Sequence, residues 1–285
     1  MVTLNELKKE YKDFTLNVSL QLQPGVVCGL IGKNGAGKST TIKSILGLIR
    51  PDGGKIEVLG KEPKNFTGKD KAQIGACLAD SGFSRSLCIK DIISIMKSMY
   101  DDFDESDFRD KCKAQDLPLD KPLESFSTGM KAKLRVLTVL RPKVKLLVLD
   151  EPTAGLDVMA RNDILDMLRA FMAEDEERSM LVSSHISSDL EGLCDEIYMI
   201  HDGSIVLHED TDALLGKYAV LKLSKEDYGK IDRSYILRVK EQSYGYECLT
   251  DEKQFYMENY PSLTIENSSI DEIIMLMLGG KEPAA

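Results

Sequence analysis

Apolar and polar positions along the chain predict strands separated by helices and glycine-rich turns. Residues 14–22 alternate strictly between apolar and polar, which predicts a half-buried strand of an antiparallel pair. Nearly unbroken apolar runs predict fully buried strands at residues 26–31, 144–149 and 180–184. Residues 197–200 and 204–207 flank His201-Asp-Gly203, which predicts a hairpin. Together these patterns indicate an α/β fold with a mostly parallel sheet and an antiparallel part near the N-terminus.

Helical patterns lie between these strands. Apolar residues at helical spacing predict a helix over residues 40–49, which Pro51-Asp-Gly-Gly54 ends. Residues 85–140 are helical and charged in pattern, so we interpret them as a helical insert. The acidic run at residues 101–107 within this insert is interpreted as a solvated face. These elements assign residues 1–217 to one large domain.

The last part of the chain differs from the rest in composition and in the length of its predicted strands. Tyrosines become frequent, and three short strands are predicted at residues 218–223, 234–239 and 262–265. A final helix over residues 270–278 is introduced by Ser268-Ser269 and by Asp271-Glu272 in its first turn. Residues 218–285 are therefore predicted to be a small C-terminal α+β module, to which the sequence assigns no chemistry.

Composition narrows the classes of function. The 285 residues carry a net charge of −10, which argues against a broad nucleic-acid footprint, so no nucleic acid is expected as a partner. No apolar run approaches the roughly 20 residues of a membrane span, and the N-terminus does not resemble a signal peptide. The six scattered cysteines form no C-x-x-C pair and are expected to be reduced and mostly buried. The expected location is the cytosol.

A glycine-rich loop follows the first buried strand. Gly32-Lys-Asn-Gly-Ala-Gly-Lys-Ser39 matches the phosphate-binding pattern G-x-x-x-x-G-K-[ST] and opens the first predicted helix. Its glycines let backbone amides approach phosphate oxygens, the lysine adds a positive charge, and the serine hydroxyl can ligate Mg²⁺. The fold class is therefore a P-loop nucleoside triphosphatase core, with a nucleoside triphosphate and Mg²⁺ as the expected ligands. The residues predicted to contact the nucleotide here are Gly32, Asn34, Gly35, Ala36, Gly37, Lys38, Ser39 and Thr40.

Two acids follow the second buried strand. Asp150 and Glu151 stand at its C-terminal end, where an open α/β sheet places its ligand crevice. Asp150 is suited to hold Mg²⁺ through water, and Glu151 to polarise the water that attacks the γ-phosphate.

The order of motifs carries a family resemblance over roughly residues 1–215. Ser125-Phe-Ser-Thr-Gly-Met-Lys131, Asp150-Glu-Pro-Thr-Ala-Gly-Leu-Asp157 and Ser183-Ser-His185 follow the glycine loop in that order. This set resembles the ATP-binding cassette (ABC) transporter ATPase family. The resemblance implies that Ser127 and Gly129 close over the γ-phosphate of ATP bound by another subunit, and that Asp157 contacts that subunit. It also implies that His185 reaches the γ-phosphate and that Tyr11 stacks on adenine, with Phe14 as the alternative.

The chain departs from the family pattern in three places, one of which is the acidic run at residues 101–107. The signature segment normally reads Leu-Ser-Gly-Gly-Gln, whereas Phe126, Thr128 and Met130 replace three of its residues here. A glutamine usually couples the γ-phosphate to the membrane subunit, but this chain offers Ala79 or Asp80 in that region. Asp80 could still ligate metal, so altered rather than absent coupling is expected.

The resemblance implies the energy subunit of an ABC transporter, a homodimer or a heterodimer with another ABC ATPase. Its partner is expected to be a transmembrane permease on a separate chain, which holds it peripherally at the cytoplasmic face of the membrane. The divergent signature and the extra module resemble an exporter branch that handles peptides, drugs or lipids. Two alternatives stay open: a soluble ABC ATPase acting as a mechanical clamp, and a nucleotide-binding regulator with low turnover.

Overall fold

The computed structural model describes residues 1–79 and 81–283 of the chain. Over these residues the chain forms a nine-stranded sheet and a separate four-stranded sheet. The strands of the larger sheet are β1 (Val2–Tyr11), β2 (Phe14–Leu22), β3 (Val27–Ile31), β4 (Gly53–Val58), β5 (Ile74–Cys77), β6 (Leu146–Asp150), β7 (Ser179–Ser184), β8 (Glu196–His201) and β9 (Ser204–Asp210). Their order across the sheet is β4-β1-β2-β9-β8-β3-β7-β6-β5.

The centre of this sheet is parallel and its N-terminal part is antiparallel. β5, β6, β7, β3 and β8 pair in parallel, whereas β1 pairs antiparallel with both β2 and β4. β8 and β9 form the predicted hairpin, and β9 joins β2 in parallel. The predicted α/β fold with a mostly parallel sheet is confirmed. Because β3, β7 and β6 are neighbours, the loops after these three strands meet at one edge of the sheet.

Helices cover both faces of the larger sheet. They are α1 (Lys38–Ile45), α2 (Gly68–Ala72), α3 (Ile89–Met99), α4 (Glu105–Ala114), α5 (Thr128–Val139), α6 (Val158–Ala173), α7 (Ser188–Glu191) and α8 (Thr211–Lys217). α3, α4 and α5 occupy the predicted helical insert. α1 starts before residue 40 and ends at Ile45 rather than 49, because Gly47 turns the chain with a φ of 70°. In the part of the chain that the structure describes, no helix is long and apolar enough to cross a membrane.

The second sheet is built from β10 (Ala219–Leu223), β11 (Ile236–Gln242), β12 (Gly245–Thr250) and β13 (Thr264–Asn267), with helices α9 (Lys225–Tyr228), α10 (Lys253–Asn259) and α11 (Ile270–Gly279). The strands lie in the order β11-β12-β10-β13 and all pairs are antiparallel. Three strands are predicted here, and the prediction is wrong in omitting β12, the partner of both β10 and β11. Apart from α11, the elements follow one another in the order β-α-β-β-α-β, which is that of the split β-α-β motif.

Two hydrophobic clusters sandwich the larger sheet, and one of them continues into the second sheet. The cluster that contains Ile164 and Leu168 of α6 also contains Val220 of β10 and Ile273 of α11. A smaller cluster, with Leu221 and Tyr256, belongs to the second sheet alone. Alternate residues of β10 therefore face two cores, and the C-terminal module is packed on the rest of the chain. The division of the chain at residue 217 stays a prediction.

The cysteines carry free thiols, as expected. Cys28, Cys77, Cys112, Cys194 and Cys248 are buried, and Cys88 is partly exposed. Burial raises the pKa of each of the five buried thiols, to about 12 for Cys112 and Cys248. These thiols are therefore protonated near neutral pH and serve as small apolar side chains.

Candidate functional site

The loop between β3 and α1 requires glycine at defined positions. A Cβ on Gly32 would lie 2.4 Å from the carbonyl oxygen of Ile200, so no larger residue fits there. Gly37 has a φ of 117°, and a Cβ on it would meet the Leu16 side chain at 2.6 Å. Gly35 has a φ of 84° and faces open space. At the glycine positions the loop therefore presents bare backbone, which leaves room for an anion to approach its amides.

Lys38 lies at the first position of α1 and is buried, with 5% of its surface exposed. Its ammonium donates to the carbonyl oxygen of Gly32 at 2.6 Å and lies 3.1 Å from Glu151 Oε1. Gly37 precedes this helix without a side chain that could cap it, so the first helical amides stay available to a ligand. A positive charge, free amides and the positive end of a helix dipole thus coincide.

Asp150 and Glu151 are placed by the last residue of β6 and the turn after it. Asp150 is buried, and its Oδ1 accepts a 2.7 Å hydrogen bond from the Ser183 hydroxyl. The same Ser183 oxygen accepts from the Glu151 amide at 3.0 Å. Glu151 has a φ of 51°, a left-handed conformation that is costly for a residue with a Cβ. Ser183 on the adjacent strand β7 therefore holds both acidic residues in place.

His185 follows the end of β7 and completes the cluster. Its Nδ1 lies 2.6 Å from Glu151 Oε2, and its backbone amide donates to the same oxygen at 3.3 Å. Glu151 thus contacts Lys38 through one oxygen and His185 through the other. Three side chains predicted from separate motifs come together because their strands are neighbours in the sheet.

The site offers oxygen ligands suited to Mg²⁺. Ser39 is exposed at the start of α1, and Asp150 presents a buried carboxylate. Within the described residues, no group of three or more histidine, cysteine, aspartate or glutamate side chains could hold a metal ion without help. Mg²⁺ prefers a few carboxylate or hydroxyl ligands completed by phosphate oxygens and water, so these residues fit a metal that arrives with a nucleotide.

Ser127, Gly129 and Asp157 form a second group on α5 and α6. Ser127 precedes α5 and accepts a hydrogen bond from the Met130 amide, while Asp157 precedes α6 and accepts from the Ala160 amide. A Cβ on Gly129 would lie 2.9 Å from Ala160 Cβ, so glycine lets the two helix starts approach. Both caps are exposed, which leaves this surface accessible to another molecule.

The two candidates for adenine stacking lie at different distances from the glycine loop. Phe14 lies against the glycine loop, with its Cζ 3.2 Å from the place of a Cβ on Gly37. Tyr11 is 46% exposed, and its ring centroid is 6.3 Å from that of Phe14. The alternative named from sequence, Phe14, thus contacts the loop, and Tyr11 lies further out. Asn34 is exposed, Ala36 is buried and Thr40 is half-buried on α1.

One predicted metal ligand, Asp80, lies outside the described residues. The structure adds residues to which the sequence analysis assigned no role: Ser183, Thr153, Asp189 and Arg161. Thr153 Oγ1 donates to Asp189 Oδ2 at 2.6 Å, and Arg161 Nη1 lies 3.4 Å from Asp189 Oδ1. One signal was present in the sequence for Ser183, a hydroxyl near the end of a strand predicted to be fully buried.

Comparisons with known proteins show which family this chain resembles. A family model described as ABC transporter matches residues 15–154. The ABC transporter ATP-binding protein YtrB of Bacillus subtilis is 28% identical over 99% of both chains. The lantibiotic transport ATP-binding protein SrtF of Streptococcus pyogenes is 33% identical over 74% of this chain and 92% of its own. A solved ATP-binding subunit of an ABC transporter superposes with a TM-score of 0.66 and 25% identity, over 75% of this chain and 91% of its own.

Proposed function

Since this chain belongs to the family of ABC transporter ATP-binding proteins, we propose that it powers a separate transmembrane permease that exports peptides, drugs or lipids. It is an ATPase. The single observation that carries the proposed mechanism of ATP hydrolysis is the contact of Glu151 with both Lys38 and His185. In that place one carboxylate can receive the proton of an attacking water while a cation and an imidazole face the phosphate.

The proposed chemistry begins with the entry of the triphosphate into the loop. Lys38 then exchanges its contact with Glu151 for the β- and γ-phosphates, which frees the carboxylate to orient water. Amides at the start of α1 bind the phosphate oxygens, and His185 contacts the γ-phosphate. Ser39 and Asp150 would hold Mg²⁺, whose positive charge would offset the charge developing on the phosphate oxygens. Ser183 keeps the Asp150 and Glu151 groups in register throughout.

The proposed assembly is a dimer, either of two copies or with another ABC ATPase. Ser127, Gly129 and Asp157 present exposed helix starts on α5 and α6, an arrangement that suits the γ-phosphate held by a second subunit. Val158 and Met159 beside them are 67% and 73% exposed, which supports burial of this face in an assembly. Closure on ATP and opening after hydrolysis would move the attached permease.

An exporter is proposed because SrtF is named for lantibiotic transport and is 33% identical to this chain. The proposed location is the cytoplasmic face of the membrane, with the chain held there through its permease. Asp80 is proposed to alter the coupling between the γ-phosphate and that permease, in the place of the usual glutamine. The divergence at Phe126, Thr128 and Met130 accompanies this change.

Affinity capture of the tagged chain from solubilised membranes tests the partner. The expected result is recovery of a protein with several membrane spans in stoichiometric amount. Recovery of ribosomes or DNA instead would contradict the transporter proposal and favour a mechanical clamp.

A Glu151→Gln variant tests the dimer. The amide keeps the shape of the side chain but cannot accept the proton, so we expect ATP to stay bound and dimers to accumulate in gel filtration with Mg-ATP. Monomers alone under these conditions, with ATP demonstrably bound, would contradict the proposed assembly.

A further inference from the structure

The short helix α7 lies between the catalytic cluster and the C-terminal module. It starts three residues after His185, so it continues directly from the segment that carries the imidazole. Two of its four residues are acidic, and their carboxylates bind partners in different parts of the chain. Its Leu190 is buried in the cluster shared with α11.

On one side, Asp189 binds the segment that follows Glu151. Asp189 is 3% exposed and Thr153 is 2% exposed, so their 2.6 Å hydrogen bond is shielded from water. Arg161 of α6 adds an ion pair to the second carboxylate oxygen. Through these contacts Asp189 ties the turn carrying Glu151 and the helix capped by Asp157 to the segment carrying His185.

On the other side, Glu191 binds the C-terminal module. Its Oε1 accepts a 3.1 Å hydrogen bond from the amide of Ile270, the first residue of α11. A carboxylate at a helix N-terminus satisfies an amide that has no partner within the helix and interacts favourably with its dipole. Ile270 and Ile273 of α11 are buried against the rest of the chain near this contact.

We propose that α7 is a positioning element for His185, held by Asp189 on the catalytic side and by Glu191 on the side of the C-terminal module. The module thereby contributes to the rate of ATP hydrolysis although it supplies no group to the phosphates. This inference rests on the proposed role of His185. Because ATP is bound mainly by residues 32–40, loosening α7 lowers kcat and leaves KM for ATP nearly unchanged.

Steady-state ATPase assays of the full chain with Asp189→Asn and Glu191→Gln test this inference. We expect kcat to fall about tenfold or more for Asp189→Asn and about threefold for Glu191→Gln, since misplacement of a catalytic group by 1 Å can cost about a hundredfold. KM for ATP should change less than about twofold in both. The matched control is Glu247→Gln. It replaces a carboxylate of the C-terminal module that accepts hydrogen bonds from Gln242 and Tyr244, and it should keep the parental kcat.

Two further variants separate positioning from general loss of structure. Thr153→Val removes the same buried hydrogen bond from its other end and should lower kcat, whereas Thr153→Ser keeps the hydroxyl and should restore it. In a His185→Ala background, Asp189→Asn should cause little additional loss, because the group that it positions is already gone. Additive losses in this double variant would overturn the inference.

The outcomes also distinguish the inference from the proposed function. If His185→Ala keeps the parental kcat, the proposed role of His185 fails. Suppose instead that His185→Ala lowers kcat, whereas Asp189→Asn and Thr153→Val keep the parental kcat and are shown by thermal unfolding measurements to be folded. Then only the positioning role of α7 fails. If the Asp189→Asn protein does not fold, the kcat values of Thr153→Val and Glu191→Gln test the positioning role of α7 instead.

Discussion

The two sheets of this chain use their residues in contrasting ways. The larger sheet ends its buried parallel strands in polar side chains, so that Lys38, Asp150, Glu151 and His185 gather at one edge. The smaller sheet is antiparallel and packs aromatic rings against its helices, such as Tyr246 of β12 against Tyr228 of α9 with centroids 4.3 Å apart. Its polar groups mainly satisfy one another on the surface, as Tyr244 and Glu247 do.

This difference shows where the fold concentrates chemistry and where it provides support. Parallel strands point their carboxyl ends in one direction, so short motifs far apart in sequence reach the same crevice. An antiparallel sheet reverses direction at each strand and has no such common end. The smaller sheet acts on the crevice through packing and through the contact of Glu191 with α11.

Replacement of His185 gives the largest effect expected within this comparison. His185→Ala removes the imidazole that contacts Glu151, so kcat should fall by about 10²-fold or more, in the range typical of groups that assist proton transfer. His201→Ala is a matched control, because His201 lies in the β8–β9 hairpin beside Asp202. The ATPase rate of each variant is measured at saturating Mg-ATP. Equal rates for the two variants would show that ATP hydrolysis does not depend on His185.

Shortening a side chain in the shared core should destabilise both regions together. Ile273 is fully buried in the cluster that also contains Leu190, so Ile273→Ala should cost about 2–5 kcal/mol of stability. Leu221→Ala, equally buried in the small cluster of the C-terminal module, is the comparison variant. Hydrogen exchange of residues 188–191 should accelerate with Ile273→Ala and much less with Leu221→Ala. Unchanged exchange in both would indicate that the module does not support α7.

A smaller effect is expected at the start of α11. Ser269 caps this helix by accepting from the Glu272 amide, and Glu272 accepts from the Ser269 amide in return. Ser269→Ala should lower the free energy of unfolding by about 1 kcal/mol, and Ser269→Thr should lower it less. Chemical denaturation monitored by circular dichroism measures the difference. Identical midpoints for all three proteins would mean that this cap does not stabilise the attachment of the module.

Most of the catalytic crevice could be predicted because its signals are local. The strands β3 and β6 are short runs of mainly apolar residues, β7 has an apolar centre, and each ends at or just before the residues predicted for the site. A glycine loop between a buried strand and a helix has a chemical meaning by itself. An acidic pair at a strand end usually just meets solvent, and it gains its meaning from the glycine loop upstream. The direct contact of Lys38 with Glu151 could not be predicted, because it depends on which strands become neighbours.

The supporting contacts had no local signal. Asp189 and Thr153 are 36 positions apart, and neither stands in a pattern that indicates their hydrogen bond. The strand β12 was missed because half-buried Tyr246 and Glu247 blur its alternation. The packing of α11 on α7 joins residues about 80 positions apart and follows from the topology of both sheets.

The central claim is that Lys38 and the loop around it bind the phosphates of ATP. Binding of a fluorescent ATP analogue with Mg²⁺, together with phosphate release, should be measured for Lys38→Ala and for Lys33→Ala, an exposed lysine of the same loop. The account predicts that folded Lys38→Ala loses hydrolysis and binds ATP at least about tenfold more weakly, whereas Lys33→Ala stays close to the parent. Parental binding and turnover by Lys38→Ala would contradict it.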